Sequence, residues 1–309
     1  MKQILSIFFN SDRTYLSIVE PTRKGLKLVD IFATNQSVNF QLADDSEVFV
    51  AAAEIEAILG ETQREIEEIN IVFPTDQAML RQLPSQQGLS NNEIIKLVKL
   101  EIKQEYPNIN FDEFSAYVTP FKPLANEPEK ILATIIPKND ISIAKKLLEN
   151  LHLPINRIEV SQLSAHKAFL YNYPESAEQI VAFLAVQKQF IDVSLISKGE
   201  LIYYNLVAYN NEKQIGEICE IEFNKLLMGH VSWIDFVYFF GSGLNKNILN
   251  YGNEALVNLG LFSGRLNPFR MFSTNLDERV RQYCDRTAHI YAPCIGSCIP
   301  DYHPTIKLV

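Results

Sequence analysis

Two stretches of the chain, one at its start and one past its middle, trace the same outline, and a repeat of this kind leaves few folds open. ILSIFFNSDRTYLSIVEPTRKGLKLVDI reads as a strand to Phe9, a polar turn, a strand to Glu20, a turn at Lys24 and Gly25, and a third strand. IVAFLAVQKQFIDVSLISKGELIYYNL repeats it, with its second turn at Lys198 and Gly199. Glycine at the second turn supplies the positive φ that a tight hairpin needs. Each meander is followed by a helical stretch, DDSEVFVAAAEIEAIL with Ser46 as expected N-cap, and EKQIGEICEIEFNKLLMG ended by Gly229. Each helix leads to an apolar strand, INIVF in the first half and IDFVYFF in the second. A duplicated unit of this length predicts two α/β lobes of like topology. We place the first at residues 1–160 and the second at 161–309.

Extra material separates the halves. AMLRQLP reads as a short strand, and SNNEIIKLVKLEIKQEYP as a helix with a Ser90/Glu93 capping box, stopped by Pro107. Ile94, Leu97, Val98 and Ile102 share one face of it and require an apolar support. FDEFSAYVTPFK and EKILATIIPK form a hairpin around PLANEPE. These pieces predict a small α+β subdomain inserted at about residues 76–137. NDISIAKKLLENLHLP is a further helix, INRIEV a strand, and SQLSAHKAFLYNY a helix crossing into the second lobe. Trp233 and the run Phe236, Tyr238, Phe239, Phe240 are expected in a buried strand.

Composition narrows the function. A net charge of −9 and the lack of a basic stripe speak against nucleic acid as partner. The apolar run in MKQILSIFFNSD stops at Asn10 with no small-residue cleavage site, so it reads as a first strand rather than a signal peptide. No window has the roughly 20 apolar residues that span a bilayer, and the cytoplasm is expected, with membrane association only through a partner. Four cysteines are too few and too unevenly placed for a disulfide framework. Cys284, His289, Cys294, Cys298 and His303 invite a zinc reading, but the C-x-x-x-C spacing and Pro293 and Pro300 argue against it, and no metal is expected. There is no G-x-S-x-G, H-E-x-x-H or Walker sequence.

The duplicated unit, together with YLSIVE, VFPTDQAMLRQLP, LSNNEIIKLVKLEIKQEYP, ILATIIPKNDISIAKKLLENLHLPINRIEV, SKGEL, FFGSGLNKNIL and RLNPFRMF in that order, resembles the two-lobed actin-like ATPase fold. Within it, the chain resembles the PilM-like pilus-assembly proteins and their type II secretion counterparts. The resemblance implies ribonuclease H-like lobes, each with a phosphate hairpin carrying an acid and, two positions later, a glycine. The acid holds the water shell of Mg²⁺ and the glycine lets main-chain amides approach phosphate. The matching positions hold Asn10 and Asp12 in the first hairpin, and Ala185 and Gln187 in the second. Neither pair is kept. Asn10 could still accept a bond from a metal-bound water and Lys188 could offer a point charge. Asp12, however, sets a negative charge where phosphates would sit, at a cost of about 1–4 kcal/mol. Gly241, Ser242 and Gly243 match the turn that lies beside adenosine in such proteins, although any strand-to-helix turn favours glycine.

The resemblance therefore implies a chain that is not an enzyme and needs no cofactor: a cytoplasmic scaffold of a pilus or secretion-type machine that recruits the tail of an inner-membrane protein. The alternative is an actin-like protein of another pathway, division or envelope assembly, that binds ATP with Mg²⁺ and hydrolyses it weakly. Self-association is open in both. In PilM-like proteins the groove beside the inserted subdomain takes an extended peptide. The matching residues here are Leu80, Arg81 and Leu83 on the strand and Leu97 and Leu100 on the helix, although Leu83 and Leu97 could equally be core.

Overall fold

A computed structural model describes residues 3–40, 44–84, 89–108, 110–121, 130–300 and 306–307. The first meander is β1 (Gln3–Phe9), β2 (Thr14–Thr22) and β3 (Gly25–Ala33), followed by α1 (Asp45–Leu59) and β4 (Ile66–Phe73). The inserted material is β5 (Met79–Pro84), α2 (Asn91–Glu105), β6 (Phe114–Phe121) and β7 (Lys130–Pro137). Then come α3 (Lys138–Leu147), β8 (Ile155–Val160) and α4 (Ser161–Asn172). The second meander is β9 (Ile180–Val186), β10 (Phe190–Ser197) and β11 (Glu200–Ala208), with α5 (Gln214–Gly229), β12 (Phe236–Phe240), α6 (Lys246–Asn258) and β13 (Ser263–Arg265). The chain closes through β14 (Ser273–Thr274), α7 (Glu278–Thr287), α8 (Ala292–Ser297) and β15 (Ile306–Lys307).

Three sheets result: β14-β3-β2-β1-β4-β8, β11-β10-β9-β12-β13, and β15-β6-β7-β5. Without β14, the first two have one order and one set of strand senses. The meander pairs are antiparallel, and the two strands beyond the central one are parallel. The repeat seen in the sequence is thus a repeat of topology. Both second turns use positive φ, at Gly25 and at Lys198–Gly199. The capping box at Ser90 and Glu93 is formed. The start of α1 differs from expectation: Asp44, not Ser46, is the N-cap, because its carboxylate accepts from both the Ser46 and Glu47 amides.

β1 is buried along its whole length, which explains its unbroken apolar sequence. Its odd-numbered residues Leu5, Ile7 and Phe9 pack with α1 and α3. Ile4 and Phe8 face the other way and are covered by Tyr291, Cys294, Ile295 and Ile299. β14 also joins β3. The division of the chain at residue 160 is therefore not a division of the packing: β14 and α8 complete the first sheet, because a central parallel strand needs cover on both faces. Trp233 is a second departure. It precedes β12, in the link from α5, and is 58% exposed.

α4 and α8 lie against each other between the two sheets. An ideal Cβ on Gly296 would stand 1.6 Å from the Ser164 carbonyl oxygen, so only glycine permits this crossing.

Candidate functional site

Three turns converge where the sheets' central strands end. The first is Asn10–Arg13, closed by a 3.1 Å bond from the Asn10 amide to the Arg13 carbonyl. The second follows β9 and is closed from the Gln187 amide to the Phe190 carbonyl at 2.8 Å. The third is the Gly-Ser-Gly turn after β12, which leads to the Asn245 N-cap of α6.

The glycines of the third turn serve the second. Gly243 donates its amide to the Val186 carbonyl at 3.0 Å. A Cβ on Gly241 would lie 2.3 Å from the Val186 oxygen, and one on Gly243 2.5 Å from the Gln187 oxygen. Main chain presses on main chain here. Ser242 faces the first turn, where the Asn10 side-chain amide donates to its hydroxyl at 2.5 Å and to the Asp12 carboxylate at 2.8 Å. The other Asp12 oxygen accepts from the Tyr15 hydroxyl at 2.6 Å. Burial, and then Asp12, hold the Tyr15 phenol well above its ordinary value. The structure thus brings Asn10, Asp12 and Ser242 together and lays Gly241 and Gly243 on the second turn, whereas Lys188 is exposed at that turn's tip. Ala185 is buried in β9 opposite Asp192. Gln187 is 2% exposed, and among the described residues neither polar atom of its side chain has a hydrogen-bond partner, nor has Asn10 Oδ1.

Sequence reasoning missed a second polar centre. Asp192 is fully buried, with the Thr75 hydroxyl on one oxygen and the Tyr204 hydroxyl on the other, both at 2.6 Å. Burial pushes its carboxyl up to about 7, against the opposing effect of these two bonds, and Asp76 adds to the rise. Two residues on, the Ser194 hydroxyl meets Gln162 at 2.6 Å and His166 at 2.7 Å, both from α4. Burial holds His166 down at about 3, so it is neutral at ordinary pH. The signal was in FIDVSLIS: Asp192 and Ser194, two residues apart in an otherwise apolar strand, share one face, and buried polar groups placed so must find partners.

The inserted sheet offers a third feature. Among the described strands β5 pairs only with β7, so its other edge is open, and α2 packs beside it. A hollow of about 370 Å³ there is lined by Arg81, Gln82, Leu83, Glu101, Ile102 and Gln104. Of the five expected partner residues, Arg81 and Leu83 line it. Leu83 is also part of the subdomain's core with Ile94, Val98 and Ile102. Leu80 turns the other way, into the first lobe's core. Leu97 is half-buried and Leu100 is 56% exposed on α2. Arg81 donates to the Leu80 carbonyl and to the Tyr106 hydroxyl, each at 3.0 Å, and lies near the Tyr106 ring. The PLANEPE loop falls outside the described residues.

The expected absence of a zinc centre concerns four residues that are described, since His303 is not. Cys284, Cys294 and Cys298 are buried free thiols, and burial pushes Cys284 up to about 11. No group of three His, Cys, Asp or Glu side chains among the described residues is arranged to hold a metal ion.

No family model and no curated protein sequence matches this chain. Solved structures do. Similarity covers 97% of the chain and 99% of a chain in the PilM-PilN type IV pilus biogenesis complex, with a TM-score of 0.73 at 13% identity. A Bacteroides thetaiotaomicron protein of unknown function, described as having the actin-like ATPase fold, gives 0.54 at 13% identity over 92% of this chain and 96% of that one. The ethanolamine utilization protein EutJ from Carboxydothermus hydrogenoformans gives 0.51 at 7% identity, over 97% and 90%. The chain has the actin-like ATPase fold.

In that fold the two hairpins would flank Mg²⁺ and the phosphates of ATP. The residues present do not fit them. The closing bonds put Gln187, not the expected Ala185, at the place of Asn10, so a neutral amide stands at each acid position; the Asp12 carboxylate stands in place of one glycine, and Gly241 and Gly243 face main-chain oxygens rather than open space. No helix among the described residues is long and apolar enough to cross a membrane.

Proposed function

We propose that this chain is a non-catalytic adaptor of a pilus or secretion-type envelope machine, acting in the cytoplasm, whose inserted subdomain holds the cytoplasmic tail of an inner-membrane protein. The observation that carries the reading is the hollow over the open edge of β5. An extended peptide laid there gains main-chain hydrogen bonds from the strand, while side-chain pockets select its sequence. The floor, Leu83 and Ile102, is apolar, and Arg81 and Glu101 on the rim can fix polarity and register. Likeness to a chain of the PilM-PilN type IV pilus biogenesis complex supports the same direction. The closed hairpins support the absence of catalysis, because the Gly-Ser-Gly turn engages both of them, Ser242 at Asn10 and Gly243 at Val186, where a nucleotide would need room.

Tail peptides of membrane proteins encoded beside this chain, titrated against the intact protein, test the reading. Saturable binding that Arg81→Glu weakens at least tenfold is expected. Absence of binding, or binding indifferent to the substitution in a folded variant, overturns it. Phosphate release from ATP is expected at the buffer background.

A second reading, an ATP-binding actin-like protein of another pathway, draws on the buried unpartnered amide atoms of Asn10 and Gln187, which a small polar ligand could satisfy. Calorimetric titration with Mg²⁺-ATP distinguishes it.

A further inference from the structure

β5 is tied to the second lobe at both of its ends. Before it, Thr75 donates to one oxygen of Asp192 at 2.6 Å. Near its end, the side-chain amide of Gln82 donates to the main-chain carbonyl of Tyr204 on β11. Tyr204 closes the circuit, since its hydroxyl reaches the other oxygen of Asp192 at 2.6 Å. It does so by leaning along the sheet: Tyr204 stands opposite Ser194, two residues from Asp192 on the same face. Thr75, Asp192 and Tyr204 are 1%, 0% and 6% exposed. Arg81 and Leu83 serve the hollow and α2, Leu80 packs into the first lobe, and Gln82 both lines the hollow and reaches the second lobe.

We propose that the circuit Gln82–Tyr204–Asp192–Thr75 couples occupancy of the β5 edge to engagement of the two lobes, so that a bound peptide strengthens the lobe contact and a parted contact loosens the peptide. The inference rests on the adaptor reading and names how its site is regulated. Its physical basis is the carboxylate. Deprived of Thr75, its one donor from the first lobe, Asp192 would be poorly solvated in a dry setting, so that bond holds while the lobes are engaged and water replaces it only when they part. Such all-or-none contacts are what turn a small displacement at one site into a change at another. Because β5 carries Gln82 and directly follows the turn that holds Thr75, a peptide that stiffens β5 fixes Thr75 against Asp192 and Gln82 against the Tyr204 carbonyl. Linkage makes the effect reciprocal.

The test uses the intact chain and begins without ligand. Amide hydrogen exchange is followed at residues 79–84 and 190–197 in wild type, Gln82→Ala, Tyr204→Phe and Thr75→Val. Gln82→Ala removes no contact of Asp192, yet exchange in β10 is expected to rise about tenfold; Tyr204→Phe is expected to raise exchange in β5 by a similar factor. Unchanged β10 in the first variant and unchanged β5 in the second overturn the coupling. If Tyr204→Phe fails to fold, Thr75→Val against Thr75→Ser decides, with only the valine expected to loosen β5. A tail peptide found by titration adds a second arm, and Tyr204→Phe is expected to weaken it about fivefold or more. Equal affinity for wild type and variant refutes the coupling. Coupled exchange without any binding tail refutes the adaptor reading and leaves the circuit standing.

Discussion

The lobes meet along two seams built in opposite ways. At one, α4 and α8 cross with main chain against main chain, and Gly296 sits so close to the Ser164 carbonyl that no Cβ fits. At the other, contact is made by side-chain tips: Asn10 to Ser242 and Thr75 to Asp192. The first seam is fixed by backbone geometry and can change only by unpacking cores that run through both sheets. The second depends on a few polar pairs, beside which Asn10 Oδ1 and both polar atoms of Gln187 stay unmatched. A molecule made this way has its pivot at the helices and its adjustable contact at the hairpins.

The largest expected effect breaks the pivot. Gly296→Ala must displace Ser164, and a loss of about 3 kcal/mol or more is expected in chemical denaturation. Tolerance of alanine would mean that the crossing is looser than its glycine implies.

Next is the pH response of the polar seam. Asp192 is held at about 7, above the ordinary 3.8, so its ionisation penalises the folded state in full above that value, and the penalty fades as pH falls. His166, held at about 3 rather than 6.5, acts with the opposite sign and weakens the fold as pH drops below its unfolded value. Comparing wild type with Asp192→Asn cancels the histidine. Relative to that variant, wild type is expected to gain about 1.4 kcal/mol from pH 8 to pH 6. Parallel pH profiles would show Asp192 to be solvated, with no dry clasp at the seam.

Ser242→Ala removes the hydroxyl that Asn10 contacts and is expected to cost about 1 kcal/mol, a third of the pivot variant. An equal loss in the two variants would erase the distinction between the seams. Least affected should be Arg81→Glu, away from both: its half-exposed guanidinium contacts Tyr106, and a stability change within about 0.5 kcal/mol is expected by thermal melting.

Much of the fold was legible because strand and turn chemistry is local. The paired meanders, their Gly25 and Gly199 turns, the Ser90 capping box and the inserted α+β piece all announce themselves within a few residues. What the sequence withheld depends on distant faces. Nothing in the sequence of Ala292–Ser297 points α8 at β1, and the need for that cover follows only from the unbroken burial of Gln3–Phe9. The Gly-Ser-Gly turn was visible as glycine, but whether glycine makes room for a ligand or for Val186 is a question about the opposite wall. Asn10 was read as a missing acid; its bond to Ser242 joins the two lobes and has no local trace. Of the groove residues, Arg81 and Leu83 line the hollow, whereas strand alternation puts Leu80 on the face that packs into the first lobe.

The cover that α8 gives to β1 has a consequence for synthesis. The first meander leaves the ribosome on the order of ten to fifty seconds before α8, at about 5–20 residues per second. Throughout that interval Ile4, Phe8, Tyr15 and Val19 lack the side chains that bury them. The N-terminal half therefore cannot finish folding as it emerges, and a nascent chain of this kind is a natural client for chaperones that shield apolar sheet faces. A stop codon placed just before residue 273 should yield an insoluble product even though both sets of meander strands would be present in full.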